Sequence, residues 1–291
     1  MSEANRGVLL SSPSPGFGEP SGGDFSEQVR LGHNVRFLLV AVGGGAVRVA
    51  AKVARRHLRH LETVAINCDS SVHGFEEFDR RIYLGPESGT PVDTGGSPLV
   101  GGVLARAAEP ALSRIFDGAH FITVVGSLGG GAGSGILPQI LELASRRSVH
   151  VSAFVIKPFS CEGDRRAVAE RTIGRIHLLE SFSDLRGHGR AMLQVLDNQS
   201  LVGPLGGRAL TEVVEHWARV IGDHVEHNYI VPAESLLSTM TASSAPMSAE
   251  IDLALEQVTL PVPTPPMIPL PVAEAELTIE AITPGPARPA A

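Results

Sequence analysis

Six glycines fall within the ten residues Gly126-Ser127-Leu128-Gly129-Gly130-Gly131-Ala132-Gly133-Ser134-Gly135. The chemistry open to such a run is anion binding. Backbone N–H groups not shielded by a Cβ can close on phosphate oxygens. The preceding residues Phe121–Val125 are apolar or β-branched and predict a buried strand, while Ile136–Ala144 carries helix-forming residues. A helix starting there would add the partial positive charge of its N-terminus. A flexible linker is the competing reading, and linkers are not normally wedged between an apolar strand and a helix.

A second run of the same kind lies upstream. Val35–Val42 predicts a buried strand that feeds Gly43-Gly44-Gly45 and then a helix over roughly Val47–His60. Two familiar phosphate loops can be tested here. A Walker loop needs Gly-Lys-Ser/Thr, which does not occur. A dinucleotide fingerprint needs a third glycine where Arg48 stands. NAD is therefore the weaker reading, kept open by Asp69, which lies at about the right distance for a ribose-binding acid.

The polar candidates come at the ends of later strands. Glu62–Asn67 predicts a strand ending in Asn67-Cys68-Asp69, whose side chains suit either ligand contact or an Asx turn. A short strand at Arg81–Leu84 leads into a long loop, Gly85–Gly96, that includes Gly95 and Gly96. A helix over roughly Val100–Phe116 follows. The strand His150–Ile156 precedes Lys157-Pro158-Phe159-Ser160-Cys161-Glu162-Gly163-Asp164-Arg165-Arg166. An ionised Glu162 can accept from both ribose hydroxyls, and Arg166 offers a planar fork of donors. A helix over Asp164–Glu180 and a strand over Ala191–Leu196 lead to Asp197-Asn198-Gln199. A last long helix spans roughly Arg208–Asn228.

Strand and helix alternate about six times, which predicts an α/β fold: a doubly wound, mostly parallel sheet between two layers of helices. Ligand loops in such folds lie beyond the carboxyl ends of the strands, where all of these candidates fall.

The wording of these loops resembles the tubulin/FtsZ family. Gly129–Gly135 is similar to its GGGTG(S/T)G signature, with Ala132 in place of threonine. Lys157–Arg166 is similar to its Lys-Pro-Phe-(Thr/Ser)-x-Glu-Gly-x-x-Arg, and Val195–Leu201 to its VIPNDRL. The resemblance implies the Rossmann-like GTP-binding domain of that family, with GTP or GDP and Mg²⁺ as ligands. It places Gly129, Gly130, Gly131, Ala132, Gly133, Ser134 and Gly135, with Gly43, Gly44 and Gly45, around the phosphates. Asn67 and Asp69 would lie near the phosphates and metal, and Gly95 and Gly96 near the terminal phosphate. Glu162 would bind ribose, Arg166 would reach the nucleotide, and Asn198 would meet guanine and ribose. Thr211 or Glu212, on the first turns of the long helix, would recognise guanine.

The resemblance covers about residues 34–240, without a second α/β domain. It implies catalysis by an Asn-x-Asp-x-x-Asp loop after the long helix, acting in a neighbouring subunit. Those positions hold Ile230, Pro232 and Ser235, and only Glu234, one place away, offers a carboxylate. Nucleotide binding with slow or absent hydrolysis is the expectation. Ala46-Val47-Arg48 also replaces Gly-Gly-Asn, so that Arg48 could pair with phosphate or Val47 could obstruct it.

Charge is unevenly placed. Residues 1–30 carry 4 acids against 2 bases, residues 31–240 carry 21 of each, and residues 241–291 carry 6 acids against 1 base. A neutral body with acidic ends argues against nucleic acid as a partner. Residues 1–30 and the proline-rich acidic stretch 241–291 have the composition of disordered segments. The latter is a candidate for recruiting a protein partner. Self-association, or association with another filament-forming relative, is the other expected partnership. Two cysteines, no apolar run of membrane-spanning length and no secretory start point to a cytoplasmic protein. Arg48, Lys52, Arg55, Arg56 and Arg59 recur at helical spacing, as a solvated basic face would. A non-catalytic scaffold is the alternative function, and an NAD-binding enzyme a distant third.

Overall fold

The computed structural model describes residues 35–85, 94–147, 149–188, 190–202 and 210–242. The expected segment 1–30, all but the first two residues of the expected segment 241–291, and most of the Gly85–Gly96 loop lie outside them; Thr241 and Ala242 are helical. Six parallel strands form one sheet: β1 (Phe37–Val42), β2 (Leu61–Asn67), β3 (Arg80–Tyr83), β4 (Phe121–Ser127), β5 (His150–Lys157) and β6 (Ala191–Asp197), in the order β3-β2-β1-β4-β5-β6. The α/β, doubly wound fold is as expected. All six residues of β1 are buried, which is why its sequence reads FLLVAV without alternation. Its register runs Phe37 opposite Leu61 on one side and opposite Phe121 on the other.

Helices cover both faces. On one lie α1 (Gly44–Ala54) and α7 (Leu210–Val225), packed through Val47, Val53, Val213, Trp217 and Ile221. On the other lie α2 (Pro98–Ala107), α3 (Glu109–Ser113), α4 (Gly131–Ser145), α5 (Gly163–His177) and α6 (Glu180–Gly187), over a core that includes Leu112, Phe116, Ile136, Ile140 and Phe182. At the N-terminal ends of β1 and β4, Phe37 and Phe121 stack and close on Tyr229 and Ile230.

Four expectations about elements change. The helices after both glycine runs begin inside those runs, at Gly44 and Gly131. The helix expected over Val100–Phe116 breaks at Ala108, where Pro110 enters a new first turn and a 3₁₀ turn follows at Arg114–Phe116. The chain after β5 forms two helices rather than one, α5 ending at His177 and α6 starting at Glu180. No loop follows the long helix. A π turn at Glu226–Ile230 joins α7 directly to α8 (Val231–Ala242).

The basic residues in and just after α1 are largely met by acids. Arg56 donates to Asp223 at 2.8 Å, Lys52 to Glu215 at 3.4 Å, and Arg55 to Glu77. Arg48 is exposed.

Candidate functional site

The strand order reverses between β1 and β4, and the two glycine runs emerge side by side at that point. The approach is backbone to backbone. Gly43 has φ +86°, and a Cβ built on it would lie 2.9 Å from Gly133 Cα. A Cβ on Gly133 would lie 1.7 Å from the Ser127 carbonyl oxygen. Side chains at these positions would force the loops apart, so the glycines are a packing requirement. The α2 start joins them, since a Cβ on Gly131 would meet Ser97 N at 2.8 Å and one on Gly135 the Pro98 carbonyl at 2.3 Å.

Three helix N-termini, those of α1, α2 and α4, therefore meet at one place. None of the three N-caps, Gly43, Ser97 and Gly130, makes a side-chain capping hydrogen bond, and none of the first turns holds an acid. Uncapped N–H groups with no competing carboxylate suit an anion. Gly95 and Gly96, both at positive φ, lie just before α2 with nothing near their Cβ positions.

Each sequence candidate has a definite place here. Gly44 and Gly45 are exposed in the first turn of α1, while Ala46 and Val47 are buried in the core beneath it. Val47 packs into the core cluster that α1 shares with α7 and the sheet. Ser134 is buried, and its Oγ accepts from Gly129 N–H at 2.8 Å, which holds the turn into α4. Ala132 is buried next to it. Asn67 is buried at the end of β2, its Oδ1 accepting from Cys68 N–H at 3.0 Å. Asp69 is exposed and caps a 3₁₀ turn by accepting from Ser71 N–H at 2.8 Å, the local turn role open to it from the start.

The other side of the site comes from β5 and β6. The α5 entry reaches the glycine run, since a Cβ on Gly129 would lie 2.8 Å from the Arg165 carbonyl. Glu162 Oε1 accepts from Phe159 N–H at 3.1 Å, and Oε2 from Arg165 at 3.2 Å. The Arg166 guanidinium is turned into the protein. It donates to both Asp197 carboxylate oxygens, at 3.0 and 2.7 Å, and to the Pro158 carbonyl at 2.7 Å. Burial alone would raise the Asp197 carboxyl, but the bonds from Arg166 and Gln199 N–H override it and hold the group below the usual carboxylate range. Asn198 is buried, its Oδ1 accepting from Trp217 Nε1 at 2.8 Å. Thr211 and Glu212 lie on the first turn of α7, exposed and half-buried. Sequence reasoning missed Asp197. Its only signal was a carboxylate where the resembling motif has proline.

The expected catalytic positions lie at the opposite end of the sheet. Ile230 is 4% exposed and packs with Phe37 and Phe121 at the strand N-termini. Pro232, Glu234 and Ser235 are in α8. For Mg²⁺, no group of three or more His, Cys, Asp or Glu that could hold a metal exists among the described residues. The Asp69 carboxylate is engaged with Ser71 N–H, so the described residues offer no ready-made carboxylate cage for a cation.

Residues 37–203 match the model of the tubulin/FtsZ family, GTPase domain. Among curated proteins, the chain is 29% identical over 140 residues to the cell division protein FtsZ of Buchnera aphidicola, covering 48% of this chain and 36% of that one. It is 31% identical over 139 residues to cell division protein FtsZ 1 of Archaeoglobus fulgidus, covering 47% and 38%. The chain thus spans little more than a third of these relatives' length. Among solved structures, an empty FtsZ dimer of M. jannaschii superposes with TM-score 0.55 at 21% identity, covering 66% of this chain and 53% of that one. The GTPγS-bound CetZ2 protofilament of Haloferax volcanii gives 0.51 at 20% identity, with coverage of 66% and 57%. At such identities the superpositions speak for the fold alone.

Proposed function

The chain belongs to the tubulin/FtsZ family through its GTPase domain, and from that premise we propose that it binds GTP or GDP where α1, α2 and α4 begin, and hydrolyses GTP slowly or not at all. The observation that carries the binding is the convergence of three uncapped, acid-free helix N-termini behind close-packed glycines. A triphosphate is the ligand such a concentration of N–H donors suits. Glu162, at the edge of this donor cluster, is assigned to the ribose, and Asn198 with Thr211 or Glu212 to the base. Mg²⁺ would neutralise phosphate charge when bound.

Slow turnover is inferred from the far end of the domain. Ile230 is in the core and Pro232 and Ser235 are helical, so no acid-bearing loop exists there among the described residues. Glu234 could act only on a nucleotide held by a neighbouring copy, since it lies opposite the glycine runs. Phosphoryl transfer relies on positioned charge, and one carboxylate on a helix is a poor substitute for such a loop. The activity assigned is that of a filament subunit or a modulator of related filaments, in the cytoplasm. The segment 241–291, acidic and rich in proline, is assigned to partner recruitment. Among the described residues, no helix is long and apolar enough to cross a membrane.

Titration with labelled GTP, ATP and NAD tests the reading. Saturable binding of GTP in preference to ATP and NAD is expected, and indifference to GTP at millimolar concentration would remove it. Glu162→Ala should weaken GTP by about tenfold, the worth of hydrogen bonds to an ionised acceptor. Phosphate release matching an intact FtsZ would disprove the slow turnover.

A further inference from the structure

Arg166 is held by the protein. Its two terminal nitrogens meet both oxygens of Asp197 in a parallel pair, and Nη1 also donates to the Pro158 carbonyl. Asp197 ends β6 and is paired in register with Lys157, the last residue of β5. Its Oδ1 additionally accepts from Gln199 N–H at 2.9 Å, fixing the turn that carries Asn198. Gln199 Oε1 then accepts from Ser160 N–H at 3.0 Å, in the loop that carries Glu162. The circuit Arg166–Asp197–Gln199–Ser160 ties the loop after β5 to the turn after β6. Arg166 and Asp197 side chains are 23% and 30% exposed, so solvent competes only in part for their bonds.

We propose that Asp197 and Arg166 are positioning residues, a lock that sets Glu162 and Asn198 in one mutual arrangement, and that Arg166 does not contact the nucleotide. The ribose and base would then be read by two loops whose separation this ion pair fixes. Planar bidentate pairs impose geometry as well as attraction, which is what a spacer between two loops requires. The assignment of a ligand to these loops rests on the nucleotide reading above, whereas the lock itself is a property of the ligand-free protein.

Two measurements on the full chain separate the possibilities. The first is amide hydrogen exchange without ligand. Asp197→Asn and Arg166→Ala should each speed exchange at Ser160 and Gln199 by about tenfold or more, as expected when a local restraint is removed. Unchanged exchange in both would overturn the lock. The second compares guanosine with GTP. Loss of a positioning lock weakens both by the same factor, because the phosphates sit elsewhere. If Arg166 instead touched phosphate, Arg166→Ala would weaken GTP far more than guanosine, and Asp197→Asn, by freeing the guanidinium, would leave GTP binding unchanged or tighter. That pattern would overturn the assignment. If the wild-type chain binds neither ligand, the nucleotide reading fails and the exchange data alone decide the lock. Asp197→Asn is nearly isosteric and Arg166→Lys keeps the charge but not the fork, so the test survives if Arg166→Ala does not fold.

Discussion

Replacing Gly133 by alanine isolates the closest backbone approach in the site. The new methyl would lie 1.7 Å from the Ser127 carbonyl oxygen, against at least 3.4 Å in ordinary contact, so about 1.7 Å of separation must be found. Neither side can yield easily. Ser127 ends β4, paired in register with Ile156 of β5, and the start of α4 is pressed against α2 at Gly135 and Pro98. Overpacking that backbone must absorb falls at the upper end of the usual range, about 3 kcal/mol. For a domain of this size that corresponds to a fall in Tm of about 6–12 °C. Gly130→Ala is the matched control. Its φ is −100° and a Cβ there meets nothing within 4 Å, so stability should change by less than about 0.5 kcal/mol. Urea titration and thermal melts of both variants provide the assay. A Gly133→Ala protein as stable as Gly130→Ala would refute the claim that these glycines are required for packing.

His224 is half-buried between Ser152, Tyr229, Asn228 and Phe154, and burial lowers its pKa to about 4. Because the unfolded chain binds the proton more readily, stability should fall as pH drops from about 6.5 towards 4, by up to about 3 kcal/mol. His224→Gln should flatten that slope in acid titrations followed by circular dichroism, and an unchanged slope would count against the assignment; His150, lowered by burial and by the Arg190 charge, adds a smaller effect of the same sign. Trp217→Phe keeps the core contact but removes the indole N–H that donates to Asn198 Oδ1, a buried acceptor, and should cost about 1–3 kcal/mol in chemical denaturation. Asn198→Ala in the same background should then cost little more, because the two act as one pair. Additive losses would show that Trp217 and Asn198 are independent.

Much of the fold was legible because its signals are local. Apolar β-branched runs such as Val35–Val42 and Phe121–Val125 became the central strands, since a strand buried on both faces needs no alternation. The glycine runs were legible as the turns between strand and helix, but their partition was not. That Gly44 and Gly131 already belong to helices depends on the neighbouring backbone that packs against them. The loop expected after the long helix failed for a similar reason. Tyr229 and Ile230 are drawn onto Phe37 and Phe121, nearly two hundred residues away in one case, and that packing carries the helix through a π turn into α8.

By itself, then, the chain's wording determined the alternation of strand and helix, the two glycine turns and the family they resemble, all set by residues within a few positions of one another. Tertiary structure decided where the charged side chains point. Arg166 and Asp197 are 31 residues apart and face each other only because β5 and β6 end in register, and no short-range pattern encodes that pairing. Val47 lies in the core for the same reason: its direction follows from the sheet beneath α1, which the local spacing alone does not specify.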